Sequence, residues 1–223
     1  MTEFWEAAFI EKQEMWGFEP ADSAIVTKDL FLENGTNHVL IPGIGYGRNA
    51  RVFRENGMTV TGIEISRTAI DLARAQFGDD IHIHHGSVTA MPFDTKMYDG
   101  IFCFALIHLL DAQERMNLIA ACFAQLAPGG YMVFVTISKK APMYQKGTCI
   151  GPERYETLPG VRIFFYDADS VRKEFGAYGL VDCTDFIEPG KHSIDAPPLQ
   201  FLMIRCRKDE TPFESSTPTV YSE

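Results

Sequence analysis

The chain has 223 residues, 46% of them apolar, which suffices for one substantial core and is short for two independent ones. Its 30 acidic residues outnumber 20 basic ones, and the resulting net charge of -10 argues against a nucleic-acid partner, whose binding needs lysines and arginines to displace condensed counterions. No run approaches the roughly 20 consecutive apolar residues of a membrane span, and the opening MTEFWEAAFIEKQE lacks a basic n-region and an apolar h-region, so a cytoplasmic protein acting on a small molecule is expected, with no membrane partner.

In chain order, Trp5, Ala8, Phe9, Lys12 and Trp16 recur at near-helical spacing, flanked by Phe4 and Phe18. Such a stripe serves either as core packing or as an aromatic lid, and residues 1–34 are taken as an N-terminal helical lid segment. Short apolar runs then alternate with helical patterns: HVLIPG and RNARVFREN, MTVTGIE and RTAIDLARAQF, DIHIHH and a turn, YDGIFCF and AQERMNLIAACFAQL. That alternation predicts an α/β domain with a parallel sheet covered on both faces, over residues 35–207. The helix after the fourth strand should begin at Asp111, with Glu114 at capping-box spacing, and bury Met116, Ile119, Ala120, Phe123 and Leu126 before Pro128, Gly129 and Gly130 end it. YMVFVTI reads as the fifth strand, and Asp167 caps a further helix that carries Val171, Phe175 and Tyr178 on one face. LVDCTDFIE and LQFLMIRCR, separated by PGKHSIDAPP, read as an antiparallel pair at the sheet edge. The acidic tail of residues 208–223 has too little apolar surface to order itself.

Gly43, Gly45 and Gly47 follow the first strand in IPGIGYGRNA, where the chain must turn sharply and let a ligand approach the backbone. Glu64 ends the next strand about 20 residues on, the separation that brings a carboxylate to ribose hydroxyls in a nucleotide fold. A dinucleotide site wants G-x-G-x-x-G, and here Arg48 occupies the position of its third glycine. His82 and His84 share one face of a strand, yet no cysteine or carboxylate is obviously placed beside them, so no metal site is expected.

In the order of its motifs the sequence resembles the class I S-adenosylmethionine (SAM) dependent methyltransferases. The similarity is carried by the glycine loop, by Glu64, by GSVTAMPF with YDGIFCFALIHLL, and by LAPGGYMVF. It implies a doubly wound, Rossmann-like seven-stranded sheet with an antiparallel final strand. It further implies SAM contacts from Gly43, Gly45, Tyr46, Gly47, Asn49, Glu64, Ile65, Ser87, Val88 and Phe104, with Trp16 contributed by the N-terminal segment. Many members carry an aspartate where this chain has Ser87. WGFEP resembles the start of the thiopurine and tellurite-resistance methyltransferases. Related readings on the same fold are an aminopropyl transferase, an NAD(P)-dependent oxidoreductase or a non-catalytic nucleotide-binding protein.

His108 follows the fourth strand, at the carboxyl end where parallel sheets place ligands, and is the candidate proton acceptor or substrate contact. The segment 138–166 is far longer than an ordinary connection and reads as a binding loop or a plain surface loop. Within it Lys139, Lys140, Lys146, Arg154 and Arg162 oppose only Glu153 and Glu156. Basic loop and aromatic stripe together suggest a small acceptor with an anionic or aromatic part, methylated on S, N or O by a monomer or homodimer.

Overall fold

The computed structural model describes residues 2–14, 16–189 and 198–210. Two helices, α1 (Thr2–Lys12) and α2 (Asp22–Glu33), precede β1 (His38–Pro42), α3 (Ala50–Glu55), β2 (Thr59–Glu64), α4 (Arg67–Phe77), β3 (Ile81–His85) and β4 (Tyr98–Phe104). After these come α5 (Ala112–Gln125), β5 (Leu126–Ile137), β6 (Thr148–Gly151), β7 (Arg154–Leu158), β8 (Val161–Phe164), α6 (Ala168–Phe175), β9 (Leu180–Glu188) and β10 (Leu199–Arg207). Seven strands form one sheet in the order β3-β2-β1-β4-β5-β10-β9. β1 to β5 pair in parallel, and β10 runs antiparallel to both β5 and β9. The alternating pattern's parallel sheet is present, and its seven strands with an antiparallel final strand make the doubly wound, Rossmann-like sheet that the family resemblance implied. None of the described helices is long and apolar enough to cross a membrane.

Both sheet faces are buried, which is why the inner strands read as nearly continuous apolar runs. On one face Phe31 of α2, Phe53 of α3 and Phe102 of β4 stack in sequence, at ring separations of 5.6 and 5.4 Å. Gly100 makes room for Phe31, since a Cβ there would stand 2.7 Å from Phe31 Cε2. Of the N-terminal 34 residues, α2 is thus part of the layer that covers the sheet, whereas α1 packs on α4. α2 also lacks a capping side chain of its own, because Ala21 is its N-cap. Glu188, at the far end of β9, supplies one by accepting from the Ser23 amide at 3.2 Å and the Ser23 hydroxyl at 2.9 Å.

On the other face α5 and α6 cover the sheet, with Phe134 against Phe175 at 5.1 Å. The Asp111–Glu114 capping box forms as expected. The buried stripe of α5 differs, because Arg115, Leu118, Ile119, Cys122 and Gln125 face inward while Met116 is 55% exposed. The helix is rolled so that Arg115 meets Glu174 of α6 at 2.7 Å beneath the Phe164 ring, an ion pair no single-helix pattern announces. For α6, Asp167 and Ser170 form the cap and Val171 and Phe175 are fully buried as expected, while Tyr178 falls in the turn after the helix ends at Phe175.

Segment 138–166 is not an irregular loop. β6, β7 and β8 form a second, antiparallel sheet, tethered to the domain by a bridge between Ser138 and Tyr166. Pro159 and Gly160, between two β-rich runs, were a legible hairpin signal. Residues 190–197 and 211–223, with most of the expected acidic tail, lie outside the described residues.

Candidate functional site

The turn from β1 to α3 reverses with the Gly43 and Ile44 amides donating to the Ile63 carbonyl at 2.8 and 3.1 Å, which locks the ends of β1 and β2 together. Gly45 and Gly47 have φ of +58° and +87°, a region L side chains rarely adopt. At Gly47 a Cβ would also strike Phe77 Cε2 at 2.6 Å. At Gly45 only Phe9 Cζ comes within 4 Å of such a Cβ, at 3.8 Å. The backbone of the turn is thus open on one side, and α1 lies over that side.

Glu64 is 6% exposed. One carboxylate oxygen accepts from the Gly45 amide and the other from the Ile65 and Ser66 amides, each at 2.8 Å. Burial pushes its carboxyl above the usual range, opposed by those three amides. The side chain therefore ties the end of β2 to the glycine turn. Its Oε2, which accepts from the Gly45 amide alone among the described residues, keeps lone-pair capacity for another donor. A glycine-rich turn beside a buried carboxylate with spare acceptor capacity fits a ribose-bearing cofactor, whose hydroxyls donate.

Ile65 is half-buried, and its carbonyl meets His85 Nε2 at 3.2 Å. Ser87 starts a short 3-10 turn with its hydroxyl 2.8 Å from that of Thr89, and Val88 beside it is buried. These residues follow β2 and β3, which are in register at Glu64 and His85, so they line up along the same sheet end. Phe104 ends β4, and Ala105 beyond it takes φ +52°, a conformation uncommon for a side-chain-bearing residue.

Two expected cofactor contacts have other partners. Tyr46, 1% exposed, donates to the Gly17 carbonyl at 2.7 Å and accepts from the Trp16 amide at 3.2 Å. Asn49 accepts from the Ala21 amide at 2.9 Å. Arg48 donates to the Trp16 and Glu19 carbonyls at 3.2 and 3.3 Å and lies 5.5 Å from the centre of the Phe104 ring. Three side chains of the glycine turn thus grip the backbone of residues 16–21. Trp16 stacks on Tyr46 at 6.3 Å with an interplanar angle of 10°, and Phe9 and Trp5 complete the aromatic cover. Glu6 of α1 accepts from the hydroxyls of Ser66 and Thr68, both at 2.6 Å, and those bonds hold its carboxyl below the usual range. Neither Glu6 nor the grip of Arg48 had a signal in the sequence, because each joins segments that only the fold brings together.

His108 lies in the interior, 7% exposed. Its Nδ1 accepts from the Ile137 amide and faces the Thr136 hydroxyl, both at 3.3 Å, and burial lowers its pKa to about 3. The imidazole is neutral, with one nitrogen occupied, an arrangement suited to packing the end of β4 against β5 rather than to accepting a proton from a ligand. His84 meets Asp94 at 3.1 Å, and Asp94 also accepts from Tyr98 and Gln125, so this histidine belongs to a hydrogen-bond network. In the inserted sheet Tyr144 and Tyr155 each pack against Phe165, at 5.3 and 6.0 Å.

Two surface clefts of about 200 Å³ lie apart from this region, one between α2 and β5–β10, the other around Pro128 to Tyr131 at the opposite end of the strands.

Residues 39–130 match the family model of a methyltransferase domain. The ubiquinone biosynthesis O-methyltransferase of Coxiella burnetii is 31% identical over 121 residues, which are 52% of this chain and 50% of that protein. The chain thus spans about half the length of the curated relatives it matches. The 1,6-didemethyltoxoflavin-N1-methyltransferase of Burkholderia thailandensis, solved with 1,6-didemethyltoxoflavin and S-adenosylhomocysteine, shares the fold with a TM-score of 0.70 at 15% identity, covering 94% of this chain and 87% of that one. A structure solved for the conversion of a disulfide bond into a thioacetal group during echinomycin biosynthesis gives a TM-score of 0.74 at 18% identity, covering 94% and 92%.

Proposed function

We propose, from the premise that this chain carries a class I SAM-dependent methyltransferase domain, that the protein transfers a methyl group from SAM to S, N or O of a small acceptor. The observation that carries the reading is the Glu64 carboxylate bonded to the Gly45 amide, beneath a glycine turn whose open side is covered by Phe9.

SAM supplies a methyl group already attached to a good leaving group. In this reading Glu64 holds the ribose hydroxyls, and the backbone from Gly43 to Gly47 lies against the cofactor without side chains in the way. Ile65 and Val88 provide apolar surface for adenine, and the Ser87 hydroxyl faces its edge. Phe104 and Trp16 bound the site from β4 and from the N-terminal segment. Tyr46 and Asn49 act one step removed, by fixing residues 16–21. The chain's contribution to rate is alignment and exclusion of water, for which well-held geometry supplies roughly 7 to 11 kcal/mol of a barrier. No general base is assigned, since His108 is buried and neutral. The acceptor is a small molecule with an aromatic or anionic part, and the protein acts in the cytoplasm as a monomer or homodimer.

A thermal-shift panel of SAM, S-adenosylhomocysteine, decarboxylated SAM, NAD and NADP tests this. A ligand at about 100 times its Kd adds about 2.7 kcal/mol to the folded state. Stabilisation by SAM and S-adenosylhomocysteine is the expected result. A shift with NAD alone, or with decarboxylated SAM alone, overturns the assignment.

A further inference from the structure

Most of the basic residues in segment 138–166 have acidic partners within the chain. Lys139 pairs with Glu153 at 2.9 Å and Asp167 at 2.5 Å, Lys140 with Asp185 at 2.5 Å, and Arg162 with Glu156 at 3.4 Å. Arg154 differs from all of these. Among the described residues no carboxylate lies within ion-pair distance of it, and its Nε is shut off from solvent with no acceptor. It stands on β7 directly across from Phe164 of β8, on whose ring the Arg115 guanidinium lies at 3.9 Å. Arg115 is itself neutralised by Glu174. Burial, followed by the charge of Arg115, lowers the proton affinity of Arg154, while Asp111 at the start of α5 opposes them.

A guanidinium keeps its proton at any ordinary pH, and among the described residues none accepts from the terminal nitrogens of Arg154, which leaves those donors for an anion that the shielded Nε cannot reach. Its fork of donors matches a planar oxyanion through two parallel bonds, which a lysine cannot reproduce. The location suits such a ligand, because β8 packs on the turn of residues 107–109 at the carboxyl end of β4. In open α/β sheets ligands collect at that end of the strands.

We infer that Arg154 is a specificity-determining residue that pairs with a carboxylate on the methyl acceptor, and that Lys139 and Lys140 have no part in recognising it. This rests on the methyl-transfer reading and narrows the acceptor to a carboxylate-bearing small molecule.

Benzoate and benzamide, planar probes of the same shape that differ in charge, test it by NMR of the arginine Nε–Hε groups and by calorimetry, with and without S-adenosylhomocysteine. Benzoate should shift the Arg154 resonance, identified by its loss in the Arg154→Lys spectrum, and benzamide should not. Arg154→Met should weaken benzoate binding about 10- to 100-fold, the loss expected for a charged hydrogen-bonded pair, with affinity for S-adenosylhomocysteine unchanged. Arg154→Lys keeps the charge and should fall between the two, which separates recognition from misfolding. Equal benzoate affinity in wild type and Arg154→Met, or no response of the Arg154 resonance to benzoate, overturns the inference. A wild type that fails to bind S-adenosylhomocysteine defeats the methyl-transfer reading instead, and the benzoate titration of the unliganded protein still reports on Arg154.

Discussion

His108 offers a direct test of whether a histidine beside the site is chemical or structural. Its folded pKa is about 3 against 6.5 when free. Between these values the unfolded chain binds a proton that the native state refuses, so stability is full above about pH 6.5 and is lost as pH falls. At pH 5 the unfolded imidazole is mostly charged, and the linkage gives a loss of about 2 kcal/mol relative to pH 7. His108→Asn removes the titration and keeps an oxygen that can accept from the Ile137 amide. Guanidinium denaturation of both proteins at pH 7 and pH 5 isolates the effect, because every other titrating group is common to the two. The variant should be less stable at pH 7, by about 1 to 3 kcal/mol for the lost ring volume, and should show a pH-dependent loss smaller by about 2 kcal/mol. Parallel pH dependences would refute the buried, neutral assignment. So would a fall in kcat of about 10²- to 10⁴-fold, the signature of a lost general base.

Glu64→Gln should lower SAM affinity by about 10- to 100-fold in calorimetry, since a neutral amide replaces the charged acceptor proposed for ribose; unchanged affinity would remove Glu64 from the site. It should also reduce stability, because the carboxylate holds the Gly45, Ile65 and Ser66 amides. Glu188→Ala uncaps α2 from across the domain and should cost about 1 to 2 kcal/mol in thermal unfolding, a loss that substituting the N-cap Ala21 would not reproduce. Lys139, against the opposing effect of burial, holds the Asp167 carboxyl at about 2, below its ordinary 3.8. Stability from this group is therefore complete above about pH 4 and is lost as pH falls toward 2, and acid titration of Asp167→Asn should lack that limb.

Some of this protein is written locally. Alternating periods of apolar residues determined the α/β class, the order of strands and helices, and the antiparallel pair at the end, because burial on both faces leaves its mark on consecutive residues. The glycine turn and Glu64 were legible for a similar reason: a positive φ demands a residue type, and the length of one βαβ unit sets their separation. The aromatic stripe at the N-terminus was visible too, and the structure sets its Phe9 over Gly45 and its Trp16 on Tyr46. Tertiary structure alone decided the partners. Glu188 caps a helix 165 residues away in sequence, Arg48 and Asn49 spend themselves on the backbone of residues 16–21, and Lys139 is neutralised by Asp167 while Arg154 has no carboxylate partner among the described residues. A side chain's charge and reach are properties of its own residue, but what it meets depends on segments whose approach has no period in the sequence, so the donors were nameable in advance and their acceptors were not.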